Sequence, residues 1–385
     1  MSSRSPSTPG VLRGAPKVLK ALINHLASLA PPDSNEREII LTWQGERDIF
    51  ETAPELEEDW WRSLRHCLDQ GWDLTQLVRL KPEPSRTLPL VADMLRLLGA
   101  RGAYSVRRFS PLGSPTPPSD FLTIPGRLAV QFFATEQSGY VDAAIFLDDP
   151  EQVAVLTTHC QRLAAQTTPL LEAFLPGTLR PYEVITEVEE ELGNRLLVQQ
   201  ELSALTRPDS WLHRDSRWAR THQERGLDAQ KLIDLYRRRR RAMEVQVQRY
   251  HFRDTCSQTA IERLSKAGEY ARNGENLSEQ REHLKQVIWV LETYRNYEIA
   301  LADSTEEKLV STAFWAVKAG QAVLMEIPGP IIDDRPAWTL LKLVDPLVTD
   351  AFRQYFLDRW GKIGLKDKGA LIPWLRQRIA LFPER

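Results

Sequence analysis

The chain has 385 residues, of which 42% are hydrophobic and 26% are charged, and its net charge is −2. That length suffices for two or three domains with sizeable cores, and the near-neutral charge argues against a protein that binds polyanions over its whole surface. The sequence has no run of ~18 apolar residues and no apolar core of a secretory signal at its amino terminus. We therefore expect no membrane partner and a cytoplasmic location.

The three cysteines, Cys67, Cys160 and Cys256, are far apart and form no CxxC pair. This spacing predicts buried thiols in a reducing compartment rather than disulfides or a zinc site. The sequence also contains no HExxH, Walker or GxSxG motif. We predict no metal and no cofactor.

Strands and helices alternate in the first part of the chain, after a lead-in of residues 1–16 whose Ser, Pro and Gly content predicts disorder. Apolar runs typical of buried strands, 3.6-residue periodicity and Gly or Pro turns define the elements. The elements predicted for residues 17–175 are helix Val18–Leu29, strand Glu38–Trp43, helix Leu56–Gln70, strand Leu74–Leu80, helix Thr87–Leu98, strand Tyr104–Phe109, hairpin Phe121–Phe133, strand Ala143–Leu147 and helix Glu151–Ala165.

Residues 176–282 are polar and basic and are predicted to form a helical connecting segment. Its main element is a long helix over Leu227–Tyr250. The alternation of strands and helices returns in residues 283–385. The elements predicted there are helix Leu284–Thr293, strand Tyr297–Leu301, hairpin Ala313–Ile327, strand Trp338–Leu343, helix Leu347–Ile363 and helix Lys368–Leu381.

Two stretches of the chain follow the same plan. Ala143–Thr167 and Thr339–Ile363 each contain an apolar run, then Asp-Pro, then an amphipathic helix. An internal repeat constrains the whole architecture, because each copy is expected to be one structural unit. The sequence therefore predicts two α/β halves, residues 17–175 and 283–385, joined by the helical segment.

This order of elements resembles the phospholipase D-like fold over about residues 36–170 and 284–365. Aromatic positions at the end of the last repeated helix, Phe352, Tyr355, Phe356 and Trp360, are part of the resemblance. The resemblance implies two similar α/β halves that face each other across a pseudo-two-fold cleft, with the helical middle segment between them in sequence.

Catalytic members of that family carry HxKxxxxD once per half, before the hairpin glycine. The His attacks phosphorus, the Lys binds the phosphoryl group and the Asp orients the His. With Gly126 and Gly320 taken as the hairpin glycines, none of the six positions carries the required residue. Those positions are Pro118, Asp120 and Pro125 in the first half, and Thr312, Phe314 and Ala319 in the second. We therefore predict that catalysis by that mechanism is absent.

Degenerate copies of the fold serve as effector domains in TrmB-type transcriptional regulators, so the resemblance implies a module that senses a small polar or anionic effector. Such regulators usually carry an N-terminal helix-turn-helix, and we expect none here. Ligands of open α/β sheets bind outside the carboxyl ends of strands. Glu46, Arg47 and Arg79 follow two predicted strands and are the candidate ligand residues. A local Glu-Arg pair that caps the next helix is the structural alternative.

Five consecutive arginines are the candidate nucleic-acid contact: Arg237, Arg238, Arg239, Arg240 and Arg241. The alternative is an exposed helix paired with acidic neighbours such as Glu187–Glu191. The sequence thus favours a non-catalytic regulatory protein that acts with DNA or with a DNA-binding partner. A phosphodiesterase-like or nuclease-like enzyme with an unrecognised site, and an interaction scaffold, remain open.

Overall fold

The structure is a computed structural model, and it divides into two compact units. One unit comprises Met1–Pro82 and Pro89–Leu171, and the other comprises Glu83–Leu88 and Glu172–Arg385. The structure describes residues 10–32, 37–43, 49–80, 84–98, 100–109, 120–134, 141–175, 177–199, 201–208, 226–265, 277–302, 314–318, 322–332 and 335–382.

Among its described residues, the first unit contains an eight-stranded sheet and four α-helices, one of which begins within Glu83–Leu88, the segment grouped with the other unit. In chain order its elements are β1 (Val11–Arg13), α1 (Ala15–Ala27), β2 (Glu38–Trp43), α2 (Glu57–Asp69), β3 (Asp73–Val78), α3 (Pro84–Leu97), β4 (Tyr104–Arg108), β5 (Asp120–Ile124), β6 (Leu128–Phe133), β7 (Ala143–Leu147), α4 (Pro150–Ala165) and β8 (Thr168–Pro169).

The strands of this sheet lie in the order β1-β7-β6-β5-β2-β3-β4-β8. β2, β3 and β4 are mutually parallel, and they are joined through α2 and α3 as the β-α-β pattern predicts. β5, β6 and β7 continue the sheet as an antiparallel meander. The β5–β6 hairpin turns at Pro125-Gly126, where Gly126 has a φ of 64° that favours glycine.

The second unit begins with strand β9 (Leu171–Phe174). Its remaining elements are α5 (Arg180–Glu190), β10 (Arg195–Gln199), α6 (Ala229–Gln246), β11 (Phe252–Ser257), α7 (Gln258–Ser265), α8 (Leu277–Thr293), β12 (Tyr297–Ala302), β13 (Phe314–Lys318), β14 (Ala322–Ile332), β15 (Arg335–Leu343), α9 (Pro346–Lys362) and α10 (Lys368–Ala380).

The second sheet repeats the plan of the first. Its order is β12-β11-β10-β13-β14-β15-β9, with β10, β11 and β12 parallel and the β13–β15 meander antiparallel. The six strands from β2 to β7 correspond to the six from β10 to β15 in order and direction. The predicted class of two similar α/β halves is therefore confirmed.

Two predicted segments differ in the structure. The range 176–282, predicted as a helical connection, contains β10 and β11, which are central strands of the second sheet. The lead-in, residues 1–16, contains β1, which pairs with β7, and the start of α1. Both differences have one physical reason, because these strands are only three to six residues long and include charged residues, so pairing with neighbouring strands defines them more than a local apolar pattern does.

The repeated Asp-Pro step begins a helix in each half. Asp149 accepts a hydrogen bond from the backbone N–H of Gln152, and Asp345 accepts from those of Leu347 and Val348. The proline that follows occupies the first helical position, where its missing N–H costs nothing. The repeat detected in the sequence is thus a duplicated strand–cap–helix unit.

Candidate functional site

The predicted ligand residues do not come together in the described part of the structure. Glu46 and Arg47 lie outside the described residues, so their role stays a prediction. Arg79 directly follows β3, at the carboxyl edge of the parallel strands, and its side chain is exposed. Its position agrees with the edge that the strand pattern predicts, and whether it binds a ligand is untested.

The position predicted for the lysine of the first motif carries an acid, Asp120. Asp120 begins β5, and its Oδ1 accepts a hydrogen bond from Thr42 Oγ1 at 3.0 Å. Thr42 Oγ1 in turn accepts from the backbone N–H of Phe121 at 2.7 Å. An oriented carboxylate at this position would repel a phosphoryl group rather than bind it. Pro125 lies in the hairpin turn, while Pro118, Thr312 and Ala319 lie outside the described residues.

The five arginines lie on α6, and most of them already contact protein groups. Arg238 forms two hydrogen bonds to Glu190, at 2.8 and 2.6 Å. Arg240 pairs with Glu244 and donates to the carbonyl of Arg207 at 2.8 Å. Arg237 lies 3.5 Å from Asp234, and burial lowers the pKa of Arg239. Arg241 is exposed beside the charge of Glu190, so most of the run is paired with acidic neighbours or protein oxygens.

A buried charged cluster that sequence reasoning missed lies under α5 and α6 in the second unit. Arg195 is 1% exposed and binds both carboxylate oxygens of Asp254, at 2.8 and 3.1 Å. It also contacts Glu189 at 3.2 Å. Lys318 is 2% exposed and donates to Gln246 Oε1 at 2.6 Å. We call Glu189, Arg195, Asp254 and Lys318 the buried quartet.

Tyr297 completes the polar network around the quartet. Its hydroxyl donates to Asp254 Oδ2 at 2.6 Å. Burial raises the pKa of this hydroxyl, and the Asp254 charge adds to the effect, so Tyr297 stays protonated and remains a donor. Burial alone would raise the pKa of Glu189, but Arg195, Arg239 and Lys318 outweigh it and hold that pKa below its usual range.

The first half fills the same places with uncharged residues. Ile124 and Lys318 correspond, because each ends its strand and pairs with the residue four positions later, Leu128 and Ala322, which begins the next strand. Strand register then equates Ile39 with Arg195 and Gln76 with Asp254. Leu26 corresponds to Glu189, since each is one residue before the end of the helix that precedes the parallel strands.

Two hydrogen bonds confirm this correspondence. Tyr104 donates to Gln76 at 2.7 Å, as Tyr297 does to Asp254. The carbonyl of Leu26 accepts from Cys67 in α2, as the carbonyl of Glu189 accepts from Gln246 in α6. The fold therefore does not require the buried quartet. A strand-by-strand alignment of the two halves could have located the buried quartet.

His283, on α8, is buried. His283 Nε2 lies 3.0 Å from Thr206 Oγ1, and burial, with the Arg207 charge, lowers its pKa to about 3. Among the described residues, no three His, Cys, Asp or Glu side chains are grouped as a metal site. In the same part of the chain, no helix has the length and apolar character needed to cross a membrane.

The chain matches no protein-family model, and no curated protein matches its sequence. Solved structures similar to it include the archaeal chromatin protein TrmBL2, at 14% identity and a TM-score of 0.27 over 41% of this chain and 52% of that one. They also include Nuc, a phospholipase D family member from Salmonella typhimurium, at 13% identity and a TM-score of 0.29 over 41% of this chain and 96% of that one.

A further similar structure is the phosphatidylserine synthase of Haemophilus influenzae Rd KW20, at 8% identity and a TM-score of 0.31 over 95% of this chain and 89% of that one. The chain spans about half the length of the TrmBL2 chain. Because all three identities are below 25% and all three TM-scores are below 0.5, the proposals that follow rest on this chain's own residues.

Proposed function

We propose that the chain is a non-catalytic, ligand-responsive regulatory protein linked to transcription. The observation that carries the proposal is the chemistry of the hairpins. The six motif positions counted from Gly126 and Gly320 carry neither a His nor a Lys, and Asp120, at the position predicted for the first Lys, accepts a hydrogen bond from Thr42. A scaffold that keeps two such halves without their reactive groups is suited to binding rather than to bond cleavage.

The proposed ligand is a small polar or anionic molecule. Its proposed contacts are Glu46, Arg47 and Arg79, which follow the carboxyl ends of β2 and β3 in the sequence. Guanidinium groups recognise carboxylate and phosphate through paired donors, which suits an anionic effector. Ligand binding would favour one conformation of the protein, and DNA or a DNA-binding partner would respond to it.

Titration calorimetry against a panel of sugars, sugar phosphates and carboxylic acids tests this proposal. For any molecule that binds, Arg47→Ala and Arg79→Ala should each weaken binding by roughly tenfold to a hundredfold, the cost of a lost charge-assisted hydrogen bond. Arg62→Ala is the matched control, because Arg62 is an exposed arginine that pairs with Asp59 on α2. If both test variants bind as tightly as the control, the assigned site is wrong.

Direct binding of nucleic acid is a second candidate, and the arginine run supports it only in part. Arg241 is exposed, and Arg237 is partly exposed and lies 3.5 Å from Asp234, a longer contact than the 2.6 Å between Arg238 and Glu190. A gel shift on random duplex DNA at low and moderate salt tests this candidate. Binding that falls steeply with salt and is lost in Arg237→Ala/Arg241→Ala would favour direct contact, and no shift would favour a partner protein.

A phosphodiesterase-like enzyme and an interaction scaffold are the two alternative functions. A phosphodiesterase assay with and without divalent metal separates the enzyme from the other two. A scaffold would bind a protein partner with no dependence on a small ligand. The ligand-responsive proposal instead requires that a bound effector change partner or DNA affinity, because coupling between two sites is reciprocal.

A further inference from the structure

The two halves share a strand plan that permits a strand of one half to pair in the sheet of the other. β2 lies between a parallel and an antiparallel neighbour, β3 and β5, just as β10 lies between β11 and β13. On the face of the sheet away from Arg195, β10 buries Leu196 and Val198, and β2 buries Ile40 and Thr42. Neither backbone pairing nor burial on this face distinguishes β2 from β10 as the neighbour of β11.

The opposite face of the second sheet carries the residues that differ between the halves. The buried quartet takes one residue from each of four elements: Glu189 from α5, Arg195 from β10, Asp254 from β11 and Lys318 from β13. Arg195 donates to Asp254 at 2.8 Å and to Glu189 at 3.2 Å. Lys318 donates to the carbonyl oxygen of Glu189 at 3.3 Å. Each contact joins two elements, so the quartet forms only when all four elements come from the second half.

We propose that the buried quartet makes the strands of the second half pair with one another rather than with their counterparts in the first half. Fixing register or partner choice is the best-attested use of buried polar groups, and distinct core layers are a general means of separating similar pairings. The first half folds the same strand plan with uncharged residues at the same places. The quartet therefore contributes specificity of pairing, which the common fold alone does not provide.

The cost of a wrong pairing follows from the contacts. If β2 took the place of β10, Ile39 would stand where Arg195 lies, and the buried carboxylates of Asp254 and Glu189 would lose this cation. In the converse exchange the guanidinium would enter the first sheet, where the corresponding places hold no carboxylate. Removing one partner of a buried ion pair disfavours a structure by roughly a hundredfold to several thousandfold. Either exchange is therefore strongly disfavoured.

A variant with the residues of the first half at all four places removes this cost. The combined variant carries Glu189→Leu, Arg195→Ile, Asp254→Gln and Lys318→Ile. In this variant β2 and β10 present the same residue, isoleucine, at the place of Arg195. An exchanged β2 no longer leaves two carboxylates without their cation, because both carboxylates are absent. We therefore expect strands of the two halves to exchange when the combined variant refolds.

Cysteines at the starts of the strands can report which strand lies beside β11. Asn194 and His251 are exposed and precede β10 and β11, and Asn194 Oδ1 accepts a hydrogen bond from the backbone N–H of His251 at 2.8 Å. The strand register equates Glu38, at the start of β2, with Asn194. Asn194→Cys/His251→Cys therefore reports the native pairing, and Glu38→Cys/His251→Cys reports β2 in the place of β10. The native cysteines are buried, which favours oxidation of the reporter cysteines.

Disulfide mapping after refolding tests the proposal. Each reporter pair is placed in the otherwise unchanged chain and in the combined variant, and the proteins are refolded from urea, oxidised and mapped by mass spectrometry. We expect the native cross-link in both backgrounds. The exchanged cross-link should be at least about tenfold more abundant in the combined variant, because the penalty that has been removed is roughly a hundredfold or more. Equal abundance of the exchanged cross-link in the two backgrounds would overturn the proposal.

Two further variants separate lost specificity from lost stability. Leu284→Ala truncates a buried residue of α8 outside the quartet and destabilises the second unit through a cavity. It should leave the exchanged cross-link at the level of the unchanged chain. If the combined variant does not fold, Arg195→Ile/Asp254→Gln removes the same difference between β2 and β10 and should show the same increase. An equal increase in Leu284→Ala, or no increase in either quartet variant, would contradict the proposal.

Discussion

The buried quartet can be exchanged for the residues that the first half uses at the same places. The combined variant carries Glu189→Leu, Arg195→Ile, Asp254→Gln and Lys318→Ile. The comparison variant carries Arg195→Ile alone. We expect the single variant to be much less stable than the combined one, although it changes fewer residues.

The magnitudes follow from the contacts. Arg195 makes two hydrogen bonds to Asp254 and one to Glu189, and both carboxylates are buried. Removing Arg195 alone leaves two buried carboxylates without their cation, which typically costs about 3 to 5 kcal/mol. Replacing all four groups removes two buried cations and two buried anions together, so the combined variant should stay within about 2 kcal/mol of the wild type.

Part of that residual cost has a structural source. Ala322 lies opposite Lys318 on the hairpin, where the first half pairs Ile124 with the larger Leu128. An isoleucine at position 318 therefore leaves a small cavity, which costs about 1 kcal/mol. Adding Ala322→Leu should recover most of this loss.

Urea denaturation followed by circular dichroism gives the free energies of unfolding. Hydrogen exchange of β10 and β11 assigns the change to the second unit, with β2 and β3 as the unperturbed reference. A combined variant that is as unstable as Arg195→Ile, or less stable, would refute the reasoning, because it would show that the charges are net stabilising rather than replaceable.

Three further predictions concern single positions. The pKa of His283 is about 3 in the folded protein and 6.5 in the unfolded chain. The free energy of unfolding should therefore fall as the pH drops below about 6.5, by up to about 1.4 kcal/mol per pH unit. Urea titrations at pH 7 and pH 5.5 measure this change, and the same change in His283→Gln would count against the role of His283. Asp345→Ala should lower the free energy of unfolding by about 1 to 2 kcal/mol, which is more than Asp149→Ala should lower it. Asp345 is buried and accepts hydrogen bonds from two backbone N–H groups. Equal melting temperatures for the two variants would be the contrary result. Gly102→Ala should lower the melting temperature by several degrees, because the Cβ of the alanine would lie 1.9 Å from the carbonyl oxygen of Trp72. A melting temperature equal to that of the wild type would show that the backbone relaxes.

The sequence predicted those elements whose residues repeat an apolar pattern. β2 and β7 have the predicted bounds, and α4 and α9 begin at the predicted Asp-Pro steps. These elements bury aliphatic side chains on the sheet or at the helix face. Local pattern and tertiary burial agree there, so a single sequence suffices.

The strands that sequence reasoning missed contain the charged cluster. β10 begins with Arg195, and β11 contains Arg253 and Asp254 within six residues. When each strand is considered alone, these charged residues predict a segment that is exposed to solvent. In the structure Arg195 and Asp254 are buried because each neutralises the other across 59 positions of the sequence. The same reason explains Glu189, which belongs to an acidic run that suggests a solvated helix face, yet is 5% exposed.

We propose that this scaffold binds a ligand and does not cleave phosphodiesters. Hydrolysis of bis(p-nitrophenyl) phosphate, measured with magnesium, manganese and zinc and without metal, tests it most directly. The account predicts a rate equal to that of buffer at every protein concentration. A rate that rises in proportion to protein concentration, co-purifies with the chain and is accompanied by a covalent phosphoenzyme would contradict it.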